Sequence, residues 1–350
     1  MSLWAKGEVA MKVRVCCLAA LGLVLSMAAF AATAPSYHLV KTIQVGGDGF
    51  WDCLTLDSRA HRLYIARSTR VQVVDVEAGT VVGEVANTPG VHGVAIVSSL
   101  HRGFTSNGGD NTVSIFDTET LKEVDRVKVG ERPDFIFFDR GANRVFTFNG
   151  GSNDATAIDP ATGKVVGTVA LGGKPEFAVA SRSGPVFVNL EDKSEVVAFD
   201  PQTLTVKSRW PLAPGEGPSG LAMDGRNHRL FSACGNEKMV VLDADSGKVV
   251  ATVPIGKGPD GAAFDSDPGL AFSPNGRDGT LTVIQEETPD TFTVAATVPT
   301  QVSARTMALD RRTHMIYLAA ARFAPQPAGG EQRRRPAIEP NSFVVLVFGR

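Results

Sequence analysis

Cysteine, tyrosine and tryptophan are scarce: four Cys, three Tyr and three Trp in 350 residues. Cys16 and Cys17 fall in an N-terminal apolar stretch, which leaves Cys53 and Cys234 for the rest of the chain. Two thiols in a domain this large make no disulfide framework. They fall in non-adjacent repeats of the pattern described below, so both are expected to stay unpaired. Net charge is also slight, −2 at pH 7, which excludes a strongly basic nucleic-acid binder at the level of the whole chain. No HxxxH or HExxH spacing occurs, and no nucleophile elbow surrounds Ser219, so zincin-type and triad chemistry have no footing. Helical periodicity is missing outside the N-terminus. Glycine is plentiful instead, 36 residues spread along the chain, which favours many tight turns between short strands. The length allows two ordinary domains or one large all-β domain.

The N-terminus reads as an export signal. Met11-Lys12-Val13-Arg14 offers a second start, and an apolar run over 15–30 follows, ending in Ala29-Phe30-Ala31. Two basic residues, an apolar stretch too short to span a membrane comfortably and a small-residue site make a secretory signal peptide. Cleavage after Ala31 or after Ala34 fits. Residues 1–31 are therefore expected to be an extension and signal peptide, and 32–350 a periplasmic or secreted domain of net charge −4.

The rest of the chain repeats. An apolar pair followed by Asp recurs at Val73-Val74-Asp75, Ile115-Phe116-Asp117, Ala157-Ile158-Asp159, Ala198-Phe199-Asp200 and Val241-Leu242-Asp243, at spacings of 42, 42, 41 and 43 residues. Val283-Ile284-Gln285 continues the series, and Val344-Val345-Leu346 is a late seventh copy. A period near 42 with four short strands per unit predicts a β-propeller. Each unit reads as an inner strand A ending in Asp (Asp57, Asp139, Asp224, Asp265, Asp310), an aromatic strand B, the apolar-Asp strand C, a polar turn and a β-branched strand D. The seventh unit stops after strand C, while residues 39–46 supply a spare D-like strand at the other end. The expectation is an all-β, seven-bladed β-propeller of four-stranded blades, its last blade closed by the N-terminal strand.

The aromatic strand runs Tyr64-Ile65-Ala66-Arg67, Phe104-Thr105-Ser106-Asn107, Phe146-Thr147-Phe148-Asn149, Phe231-Ser232-Ala233-Cys234, Phe272-Ser273-Pro274-Asn275 and Tyr317-Leu318-Ala319-Ala320. This resembles the Tyr-Val-Thr-Asn repeat of the YVTN propellers, and the mature chain resembles their YncE-like branch. Gly172-Gly173-Lys174-Pro175 and Ile255-Gly256-Lys257-Gly258-Pro259 add to the likeness. It implies a seven-bladed, typically exported propeller with no settled activity. No repeat keeps the full Tyr-Val-Thr-Asn, and propellers host unrelated chemistries.

Aligning the repeats on strand A brings out one position: Asp52, His92, Asp134, Glu176, Ser219, Asp260 and Arg305. Every blade thus starts its innermost strand with a polar or charged group, as expected of a channel mouth. A second set follows fifteen residues later, at the end of strand B: Arg67, Asn107, Asn149, Cys234, Asn275 and Ala320, with Asn189, Leu190 or Glu191 in the fourth unit. Both sets are expected to open on one face, with the A–B and C–D turns on the other. Four carboxylates with one His and one Arg recruit a cation or raise one another's pKa. Oxygen ligands suit Ca²⁺, Mg²⁺ or Mn²⁺, and His92 admits Zn²⁺ or another transition metal. Asp52, His92, Asn107, Asp134, Asn149, Glu176, Ser219, Asp260, Asn275 and Arg305, with Trp51, which could stack on a ligand, form the candidate ligand site; Asp52, His92, Asp134, Glu176 and Asp260 form the candidate metal site. A plain reading is that they only hydrate a water-filled channel.

Two function classes follow. One is a non-enzymatic binding or scaffold propeller, taking a small molecule, metal or protein partner. The other is a metal-dependent hydrolase, such as the lactonase-type propellers that hold a metal with carboxylates and amides. A quinone-cofactor propeller would need more stacking Trp than Trp51 and Trp210. The acidic ring argues against nucleic acid at the channel. His61, His101, His228 and His314 fall in A–B turns on the far face and read as solvated turn residues. The Pro/Gly-rich, basic stretch 325–336 interrupts the last unit between strands B and C and reads as a loop over the ring face. The mature protein is expected to be a monomer without a transmembrane segment.

Overall fold

A computed structural model describes residues 36–181, 184–324 and 337–350. The expected signal peptide with Cys16 and Cys17, and the basic loop 325–336, lie outside the described residues. Seven four-stranded antiparallel sheets make up the fold. Six are built from consecutive strands: blade 1 has strand A Leu54–Asp57, B Arg62–Arg67, C Arg70–Asp75 and D Thr80–Val85, and blades 2 to 6 span residues 91–128, 133–170, 175–211, 218–254 and 263–299. The seventh orders Met307–Asp310, Met315–Ala320, Val344–Gly349 and then the N-terminal His38–Gln44. That strand pairs antiparallel with Val344–Gly349, from His38 opposite Gly349 to Gln44 opposite Val344. The ring closes as the sequence implied, and closure leaves strand C of blade 7 no free edge. Among the described residues no helix is long and apolar enough to cross a membrane.

Burial explains the composition of each strand. Strands B and C are covered on both faces by neighbouring blades, so they read as continuous apolar runs; Val186–Leu190 is buried throughout. Strand D is the outer edge, so Val165–Ala170 and Thr80–Val85 stay mostly exposed. The core lies between blades: Leu63 and Ile65 of blade 1 pack with Tyr317 and Ala319 of blade 7. Cys53 and Cys234 are buried and free, as expected.

The recurring Asp residues are turn caps. Asp117 Oδ1 accepts from the backbone N–H groups of Glu119 and Thr120, and Asp159 does the same for Ala161 and Thr162. Asp57 and Asp139 cap the A–B turns in the same way. The A–B turn also needs one residue with positive φ. His61, His101, His228 and His314 occupy that place at φ 51–60°, and Asn143 takes it in blade 3. The four His rings sit on far-face carboxylates, His314 Nδ1 being 2.7 Å from Asp265.

The residue after that turn carries a staple between blades. Arg62 donates to the Thr118 carbonyl, Arg102 to Pro160 and Ala161, Arg144 to Pro201 and Gln202, and Arg229 to Pro289. In each case the guanidinium of one blade satisfies the turn that follows strand C of the next. Lys41 does this for blade 1, reaching Val76 and Glu77.

Candidate functional site

His92, Asp134, Glu176 and Ser219 stand where strand A begins irregularly, and Asp52, Asp260 and Arg305 lie two or three residues before strand A starts. Pairing between strands A and B skips from Pro133 to Ile136, from Pro175 to Ala178 and from Pro218 to Leu221, with a similar slip between Val91 and Gly93. Such a bulge takes the intervening residues off the ladder and re-aims their side chains. Proline fits just before it, since an innermost strand needs no donor on its free side. Asp134, Glu176 and Ser219 follow Pro133, Pro175 and Pro218.

Six of the seven expected ring residues line one cavity of about 430 Å³: Asp52, His92, Asp134, Glu176, Asp260 and Arg305, together with Phe50, Phe177 and Phe323. The charges interlock around the ring. Arg305 Nε donates to Asp260 Oδ2 at 2.6 Å, and its Nη2 lies 3.5 Å from Asp52 Oδ1. His92 Nδ1 lies 2.6 Å from Asp52 Oδ2 and 3.5 Å from Asp134 Oδ1. Lys174 Nζ pairs with Glu176 Oε1 at 2.7 Å and also with Glu191. Asp52, His92 and Asp134 each offer a ligand atom, all within 4.8 Å of one another. Ser219 holds the seventh position, but its hydroxyl donates to the Pro259 carbonyl and does not line the cavity.

The other candidates are placed elsewhere. Asn107, Asn149 and Asn275 stand at the same end of the blades as the ring but are fully buried. Each amide donates to two groups on strand C of its own blade: Thr112 and Ser114, Asp154 and Thr156, Thr280 and Thr282. They lace strands B and C together and present nothing to the mouth. Arg67, Cys234 and Ala320 are equally buried, so the expected second ring is an internal one. The fourth unit follows suit: Leu190 takes the aligned place opposite Pro175, and Asn189 donates to Ser219 and Gly220 carbonyls. Trp51 is only 3% exposed, packed between Phe323 and Phe343, with its carbonyl accepting from Arg305. It supports the wall rather than stacking on a ligand.

Sequence reasoning missed Phe50, Lys174, Phe177 and Phe323 as parts of the site. Lys174 stood in the Gly-Gly-Lys-Pro stretch two residues before the ring position, which was its only signal. Phe323 begins the irregular insertion of the last unit, where the period gives no register.

Enclosure sets the electrostatics. Burial opposes the charge on His92, but the bond to Asp52 and the charges of Asp134, Asp52 and Glu176 raise its pKa to about 9. Burial pushes up the carboxyls of Asp134, Asp260 and Glu176; His92, Arg305 and Lys174 respectively oppose the rise without cancelling it. Burial works against charge on Lys174, yet its bonds to Glu176 and Glu191 raise it. Cys53, beneath the ring, is pushed well up by burial and by neighbouring carboxylates, so it is a thiol and not a thiolate ligand. All these ring shifts carry one sign. A group raised in the folded state stabilises fully below its unfolded pKa and loses that contribution as pH rises through the folded value. For His92 the window runs from 6.5 to about 9, and the raised carboxyls add to it from below. In metal-free buffer the melting temperature is therefore expected to fall by several degrees across that window, and His92→Gln to flatten the alkaline part. A pH-independent melting curve would contradict the ring's electrostatics.

No family model matches the chain, and no curated protein matches it in sequence. Solved structures do match in shape. The RRP9 WD40 repeats superpose with a TM-score of 0.73 over 90% of this chain and 99% of that one, at 10% identity. The U3-55K structure gives 0.72 over 87% and 97%, also at 10% identity. A chain of the mitotic checkpoint complex gives 0.68 over 89% and 96%, at 16% identity. Likeness at such identities is one of architecture. Together with the strand order, it makes this chain a seven-bladed β-propeller.

Proposed function

We propose that residues 32–350 form an exported, monomeric, YncE-like binding propeller whose ring-face cavity takes a divalent cation, or a small ligand carrying one. The observation that carries this reading is the Asp52–His92–Asp134 cluster, three ligand atoms within 4.8 Å at the wall of an open cavity. One imidazole and two carboxylates suit Mn²⁺ or Zn²⁺ better than Ca²⁺, which prefers oxygen alone. Asp260 is committed to Arg305, and Glu176 to Lys174, so both act as outer groups that hold charge around the metal ligands.

Binding must displace the proton that His92 holds against Asp52, so affinity rises with pH toward the His92 pKa of about 9. The test is equilibrium dialysis against Mn²⁺, Zn²⁺ and Ca²⁺ with metal analysis of the retained protein. Wild-type chain is expected to keep a single ion, more tightly at alkaline than at acid pH. Asp134→Ala combined with Glu176→Ala is expected to keep none. Wild-type protein that binds no divalent ion at millimolar concentration would remove the proposal.

A second reading, a metal-dependent hydrolase or lactonase, draws on the same three ligands. A three-ligand set leaves coordination positions for water, and Glu176, whose carboxyl burial pushes up, stands on the same cavity. Turnover of a simple lactone by the metal-loaded chain, lost in Glu176→Gln with metal retained, would favour it over binding alone.

A further inference from the structure

A glycine backs the cation site. Resting on the cation-binding reading above, we propose that Gly108 is a positioning residue of that site: the bare backbone there sets His92 and Asp134 at coordinating distance from Asp52.

Gly108 follows Asn107, where strand B of blade 2 ends. Its N–H donates to the Gly90 carbonyl at 2.9 Å. The same bond recurs around the ring, from Gly150 to Arg132, Glu191 to Lys174, Gly235 to Gly217 and Gly276 to Gly258. Each acceptor stands two residues before the ring residue of its blade. Glu191 keeps this bond with a side chain in place, so the backbone path does not itself call for glycine. Nor does the dihedral angle: Gly108 has no positive φ, and alanine would meet no strain there.

What the position requires is space. A Cβ on Gly108 would stand 3.0 Å from His92 Cδ2, 3.1 Å from His92 Nε2 and 3.2 Å from the Pro133 carbonyl oxygen. Contacts that close force a neighbour to move. Both neighbours carry ligands: His92 is one, and Pro133 leads directly into Asp134. The imidazole cannot back away toward Asp52, since Nδ1 already lies 2.6 Å from Oδ2. It must swing into the cavity that it lines, which turns Nδ1 away from both carboxylates. If Pro133 yields instead, Asp134 Oδ1 leaves its place 3.5 Å from Nδ1. Either way the set of three ligand atoms within 4.8 Å is broken. Gly150 and Gly235 hold equivalent places without this crowding. Among the described residues, a Cβ would come no nearer than 3.7 Å to a neighbour at Gly150 and 3.4 Å at Gly235, which is ordinary contact. Gly235 belongs to blade 5, whose Ser219 does not line the cavity.

The test compares the full wild-type chain with Gly108→Ala and Gly235→Ala at one neutral pH. Mn²⁺ binding is followed by the EPR signal of the free ion. In metal-free protein the His92 Nδ1 proton and nitrogen are followed by NMR, assigned by their absence in His92→Gln. Gly235→Ala is expected to match wild type in both. Gly108→Ala should melt as cooperatively as wild type, bind Mn²⁺ at least about tenfold more weakly, and lose the low-field Nδ1 proton of the bond to Asp52. Weaker binding with the His92 signals unmoved would assign the displacement to Asp134 and still uphold the proposal. If wild type binds no Mn²⁺, the cation-binding reading falls and the Nδ1 signals alone decide: moved in Gly108→Ala they uphold the positioning, unmoved they overturn it. Unchanged signals together with unchanged affinity in Gly108→Ala, an equal loss in Gly235→Ala, or a Gly108→Ala chain that does not fold would also overturn it.

Discussion

A chain that starts at Gly46 should lose its cooperative melting transition, or melt lower by on the order of 10 °C or more. The truncation removes the whole outer strand of blade 7, His38–Gln44, from its ladder with Val344–Gly349. Tyr37 and Ile43, 5% and 2% exposed, leave the core, at roughly 1.5–3 kcal/mol each. The fully buried strand Val344–Gly349 becomes an open edge with unpaired backbone groups. Against a total stability of about 5–15 kcal/mol, that sum is decisive. Deleting 325–336 makes the matched control. Phe323 and Ile338 already bridge, and Ala324 donates to the Ala337 carbonyl, so the chain rejoins across a closed pair. Thermal melts of the two deletions should differ widely; equal melting temperatures would show that the N-terminal strand does not hold the ring shut.

Arg67→Ala should cost on the order of 3–5 kcal/mol, more than any ring substitution. Arg67 is the largest fully buried side chain, and it clasps the segment that leads from the closing strand into blade 1. Its guanidinium donates to the carbonyls of Gly46, Asp48 and Gly49 and to Gln72 Oε1, and it lies 3.6 Å over the Phe343 ring. Burial pulls its pKa down to about 10, which still leaves it charged at neutral pH. Removing it strands the buried Gly46 carbonyl, frees the partly buried carbonyls of Asp48 and Gly49, and opens a cavity beside Phe343. Arg67→Lys keeps the charge but cannot reach all four acceptors, so it should recover only part of the loss. Urea unfolding of the three proteins checks the order; a loss below about 1 kcal/mol for Arg67→Ala would contradict the clasp.

The architecture was legible because a repeat reports itself: Val73-Val74-Asp75 and its copies fixed the blade count, and the missing last strand pointed to residues 39–46. The first ring was legible for the same reason, since one aligned column held Asp52, His92, Asp134, Glu176, Asp260 and Arg305. The second column failed because alignment gives the end of a blade but not the direction of a side chain. Asn107, Asn149 and Asn275 turn inward, and the bulge that turns Asp134 outward leaves no composition signal beyond Pro133. Trp51 was misjudged for a related reason: its neighbours Phe323 and Phe343 come from the other end of the chain. The staples were equally silent. Arg62, Arg102, Arg144 and Arg229 recur in place, but each acceptor lies in the following blade, and only the folded ring brings them together.

The ring-face cavity is tested most directly by anomalous diffraction from crystals of the full chain grown with Mn²⁺ at alkaline pH. A single anomalous peak within coordination distance of His92, Asp52 and Asp134, absent from the Asp134→Ala variant, is the result the electrostatics and geometry predict. A cavity without a peak, or a peak only at exposed far-face carboxylates such as Asp245, would contradict it.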